Sequence, residues 1–114
     1  MTNVNWSDSM DAAITVCDAE GVIIYMNEAS QKGFEKDGGK DLVGKSIFPC
    51  HTPESEQKIL QLMAEGKTNI YTIQKKGCRK MIYQAPIYEN GKMAGMVEIS
   101  FVIPEEMPHH NRDA

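Results

Sequence analysis

Two dipeptides in the last third of the chain, Lys76-Gly77 and Asn90-Gly91, separate three runs rich in β-branched, aromatic and methionine side chains. Asn-Gly accepts the positive φ angles that a two-residue hairpin turn requires, so the second break sets antiparallel strands on either side of it. The runs cover residues 69–74, 79–88 and 93–103, and their composition predicts three strands in succession.

The segment before these strands has the marks of a single long helix over residues 53–65. Thr52 suits the N-cap, Pro53 the first helical position, and Gly66 the stop. Ile59, Leu60, Leu62 and Met63 fall on one side of it. Further upstream, residues 11–17 and 22–26 are apolar runs joined by Asp18-Ala19-Glu20-Gly21, which has turn chemistry, so a first β-hairpin is expected there. Asn27 is placed to cap a helix over 28–34 that ends near Asp37-Gly38-Gly39, and a short helical turn is expected over 40–43. Val4, Trp6 and Met10 predict a short N-terminal helix over 3–10 with one apolar edge. The sequence thus divides into an N-terminal helix and dimerisation segment (1–10), a domain (11–103) and an irregular tail (104–114) that carries two prolines and His109-His110.

With 114 residues, 41% of them hydrophobic, the chain holds one core and one domain. A net charge of −4, with no basic cluster larger than Lys75-Lys76 and Arg79-Lys80, argues against binding nucleic acid. No apolar run is long enough to span a bilayer or to form a signal-peptide core, so no membrane partner and a cytoplasmic location are expected. Cys17, Cys50 and Cys78 are odd in number and far apart, a pattern of reduced thiols rather than a disulfide framework. The lack of any Cys-x-x-Cys speaks against structural zinc.

The order helix, two strands, short helices, long helix, three strands resembles a PAS domain over residues 11–103. The likeness is carried by residues 14–18 followed by Glu20-Gly21-Val22-Ile23 and Tyr25-Met26-Asn27-Glu28-Ala29, then by Leu42-Val43-Gly44-Lys45-Ser46. Gly91-Lys92 and Gly95-Met96-Val97 in the last hairpin add to it. The resemblance implies an α+β PAS fold: a five-stranded antiparallel sheet, with the short helices and the longer one on one face enclosing a pocket. It also implies a homodimer and an unidentified signalling partner protein. A haem-binding, gas- or redox-sensing member would use His51, just before the long helix, and Met81, on a later strand, as axial ligands to the iron of haem b. Cys78 is the alternative to Met81. The rival readings are a cofactor-free interaction module and a PAS domain binding a small organic ligand, with Arg79, Lys80 and Tyr83 available to a carboxylate.

Strand alternation assigns the pocket face. Met81, Tyr83, Ala85 and Ile87 are expected inside, with Lys80, Ile82, Gln84 and Pro86 outside. Gly95, Val97, Ile99 and Phe101 are expected inside as well, because Glu98 on the other parity is costly to bury unless paired. Ile14, Val16, Val22 and Ile24 complete the inner lining, and Ile59, Leu62 and Met63 face it from the helix. Ile82, Met96 and Val102 are left outside, to be covered by the N-terminal helix or by a second copy. Cys50 next to His51 does not make a catalytic pair, since no third orienting group is evident, and Ile47 and Phe48 suit a buried thiol. No enzymatic activity is expected. The Asn-Cys-Arg-Phe run of light-sensing relatives is missing, which argues against a flavin.

Overall fold

The computed structural model describes residues 4–47 and 52–114. Strands β1 (Ala13–Asp18) and β2 (Ile23–Met26) form the first hairpin, helix α1 (Glu28–Gly33) follows, and two 3₁₀ turns cover Glu35–Asp37 and Gly39–Leu42. Helix α2 (Pro53–Glu65) leads into β3 (Asn69–Lys75), β4 (Cys78–Glu89) and β5 (Lys92–Val102). The five strands make one antiparallel sheet in the order β2-β1-β5-β4-β3. The last strand therefore returns to the middle and pairs with the first.

Local chemistry accounts for most of the joints. The Asp18 carboxylate accepts from the amides of Glu20 and Val22, each at 3.0 Å, which closes the turn at Gly21. Thr52 caps α2 by accepting from the Ser55 amide at 3.1 Å, and Gly66 ends it with φ of 64°, a left-handed conformation that favours glycine. Both two-residue turns of the meander have positive φ at each position: 52° and 77° at Lys76-Gly77, 53° and 78° at Asn90-Gly91. That conformation matches the right-handed twist of the flanking strands.

The core lies on one side of the sheet. Cys17, Ile23, Met26 and Met96 from the strands meet Leu42, Ile47, Ile59 and Met63, with Phe34 and Met93 packed around them. The expected N-terminal helix over 3–10 is absent among the described residues. Residues 6–9 form a turn, and Val4, Trp6 and Met10 are exposed. Two bonds from around the start of α1 take up this backbone, Asn27 Nδ2 donating to the Ser7 carbonyl at 2.9 Å and the Glu28 amide to the Asp8 carbonyl at 3.1 Å, while the Asn5 side chain donates to the Asp8 carboxylate at 2.6 Å. Such bonds compete with the helical ladder. Residues 104–114 form neither helix nor strand.

Candidate functional site: a cavity against the sheet

Between the inner face of the sheet and the helical layer lies a cavity of about 50 Å³. Ile23, Met26, Phe34, Leu42, Ile47, Ile59 and Met96 make it apolar, and Cys17, Thr15 and Glu98 contribute sulfur and oxygen to its wall. Burial pushes the Cys17 thiol above its ordinary value, so it is protonated and unreactive at neutral pH. The strands bring Thr15, Cys17, Met96 and Glu98 inward by alternation, and α2 supplies Ile59.

The sheet register creates a polar row beside this apolar chamber. Asn69 on β3 pairs with Gln84 on β4, Gln84 with Glu98 on β5, and Glu98 with Thr15 on β1. Paired residues share a face, so the four side chains stand in line across the sheet. Asn69 Nδ2 donates to Gln84 Oε1 at 3.2 Å, and Gln84 Nε2 donates to Glu98 Oε2 at 2.8 Å and to the Tyr71 hydroxyl at 3.5 Å. At the far end the Thr15 and Ser30 hydroxyls meet at 2.5 Å. Gln84 is 5% exposed. Burial, with the Glu98 charge behind it, raises the Tyr71 phenol above its usual value.

This row overturns the expected assignment of faces. Ile82 and Met96 are buried on the cavity side, while Met81 and Tyr83 on β4 and Val97 and Ile99 on β5 lie on the opposite face. Glu98 was placed outside because a lone carboxylate is costly to bury, but its bond from Gln84 meets that cost. Ile14 and Val16 share the outer face with Ile99 and Val97, to which they pair, and Ile24 is exposed. Of the helix residues, Ile59 reaches the cavity, and Leu62 and Met63 are buried on α2 outside its wall.

The haem arrangement does not fit these residues. Met81 points away from the cavity, and Cys78 is exposed at the end of β4. His51, and Cys50 with it, lies outside the described residues. A volume of about 50 Å³ is also well below the roughly 300–1,000 Å³ of pockets that enclose larger ligands. Among the described residues no group of three His, Cys, Asp or Glu side chains is arranged to hold a metal ion. Also among them, no helix is long and apolar enough to cross a membrane.

Thr15, Cys17, Gln84, Met96 and Glu98 were not anticipated as site residues. The signal available for Gln84 was the Lys76-Gly77 turn, which by counting back along its two strands puts Gln84 opposite Asn69. Glu98 was hidden by a shift of register between Ile87 and Tyr88, which changes its partner by one residue.

A single antiparallel sheet with its first and last strands side by side, covered by short helices and one longer one over an internal cavity, defines an α+β domain. A family model described as the PAS fold matches residues 7–105, and the chain belongs to that family. Solved structures agree on the fold. A PAS domain from Colwellia psychrerythraea is 23% identical, with 87% of this chain and 92% of that one covered and a TM-score of 0.60. A sensory box sensor histidine kinase from Vibrio cholerae is 18% identical, with 85% and 86% covered and a TM-score of 0.63. VqmA of Vibrio cholerae, in a structure bound to DPO, is 14% identical, with 86% of this chain but 54% of that one covered and a TM-score of 0.66. No curated protein matches the sequence.

Proposed function

We propose that this PAS domain is a sensory module that admits a small, mainly apolar molecule to its cavity and passes the occupancy on through the sheet. The observation that carries the reading is the chamber itself, apolar on most of its wall and bordered by a polar row that runs across four of the five strands and is hydrogen-bonded from β3 to β5. Met26 and Met96, which are unbranched and adaptable, let the wall yield to a ligand larger than the chamber. The similarity to a sensor histidine kinase and to VqmA bound to DPO supports a sensory role.

The test is methyl NMR of the folded protein with thiophene as probe. Binding is expected to shift the methyl signals of Ile23, Met26, Ile59 and Met96, and the cavity-filling variant Met96→Phe is expected to abolish the shifts. A ligand held at one hundred times its Kd would raise the unfolding free energy by about 2.7 kcal/mol. Cavity methyls unmoved at saturation both by thiophene and by its N–H analogue pyrrole would remove the reading.

The same domain is a homodimer in this proposal, joined through the outer face of the sheet. That face carries Met81, Tyr83, Val97, Ile99 and Phe101, an apolar set that the helical layer does not cover.

A further inference from the structure

We infer that the molecule taken up by the cavity carries an N–H or O–H donor on a small apolar body, and that Glu98 selects it. The inference rests on the sensory reading above. Glu98 stands in the cavity wall, and one of its oxygens, Oε2, is held by Gln84. Gln84 is fixed in turn by Asn69 and Tyr71, so the carboxylate is oriented before any ligand arrives. Its other oxygen, Oε1, receives no hydrogen bond from the described residues, and no Lys or Arg among them forms an ion pair with Glu98.

Thr15, the neighbour across the β1–β5 pairing, is engaged with Ser30. No buried side-chain oxygen among the described residues lacks a partner, so Oε1, in a half-buried side chain at the cavity wall, is left to water, and bonds to charged groups are the stronger kind. A ligand with a donor satisfies it. A purely apolar ligand strips away water and leaves it unpaired, and an anion is repelled. The apolar part of the lining, Ile23, Leu42 and Ile59 among it, takes the apolar body.

Pyrrole and thiophene test this, being rings of similar size of which only pyrrole has an N–H. Affinities are measured by methyl NMR titration on the wild type and on Glu98→Met. The ratio of pyrrole to thiophene affinity is expected to be at least about tenfold higher in the wild type, since a charge-assisted bond is lost in the variant. The Glu98 side-chain carboxyl ¹³C signal in the wild type is expected to move with pyrrole and not with thiophene, a readout that holds even if the variant does not fold. Equal ratios, or a carboxyl signal indifferent to pyrrole while cavity methyls shift, would overturn the role of Glu98 and leave the cavity reading standing. Failure of both probes to shift the wild-type methyls would overturn the cavity reading and this inference with it.

Discussion

Asn27 is 1% exposed and uses both ends of its amide twice. Its Oδ1 accepts from the Ile14 amide at 2.9 Å and from the Ser30 amide at 3.0 Å, the second bond being the cap of α1. Its Nδ2 donates to the Ser7 and Ala12 carbonyls at 2.9 and 2.7 Å. One side chain thus ties the N-terminal turn, β1 and α1 together. Loss of an N-cap costs about 1 kcal/mol, and each buried backbone group left without a partner costs about 1–3 kcal/mol. Asn27→Ala should therefore destabilise the fold by roughly 3 kcal/mol or more, read as a lower urea midpoint at unchanged m-value. A loss below about 0.5 kcal/mol would show that water replaces the amide at little cost. The sequence showed Asn27 as a cap and nothing more, because the three other bonds reach residues that are distant along the chain.

At the scale of elements, the two turns of the meander differ by one residue type. Asn90 and Lys76 both adopt positive φ, a conformation that asparagine tolerates and lysine does not favour. Lys76→Asn should stabilise the β3–β4 hairpin by about 0.5–1 kcal/mol, measured as a rise in the denaturation midpoint. No gain would mean that the lysine side chain makes a compensating contact in the native state. These turns, the bounds of α2 and the cap at Asn27 were legible because each depends on residues adjacent in sequence. The faces of β4 and β5 were not. Alternation grouped Met81, Tyr83, Val97 and Ile99 correctly with one another, but it took the more apolar side as the interior. In this sheet the interior side holds the polar row, whose members satisfy one another only once the register is known.

At the scale of the molecule, the apolar outer face is the counterpart of that inversion. Ile99, Tyr83 and Ile70 pair in a line across three strands, with Ile14, already buried at 2% exposure, at its β1 end, and Phe101 and Met81 form the next pair. Ile70 is 58% exposed, Phe101 40% and Tyr83 37%, and no N-terminal helix among the described residues lies over them. A second copy of the chain would bury this surface, at about 25 cal/mol for each Å² of apolar area removed from water. Sedimentation velocity at about 10 μM, a concentration at which a complex with micromolar Kd is well populated, is expected to show a dimer. Phe101→Glu should give a monomer with an unchanged far-UV spectrum, since the new charge stays in water in the monomer and is desolvated in the dimer. A wild type that sediments as a monomer, or a variant that still dimerises, would exclude this face. Val97 and Ile99 alternate along β5 with Met96 and Glu98, so one strand carries both the cavity wall and the contact surface. Ligand binding and dimerisation should then be linked reciprocally: a probe that tightens the dimer must bind more tightly to the dimer than to Phe101→Glu, and with one cavity per subunit the dimer tightens by the square of that per-site factor.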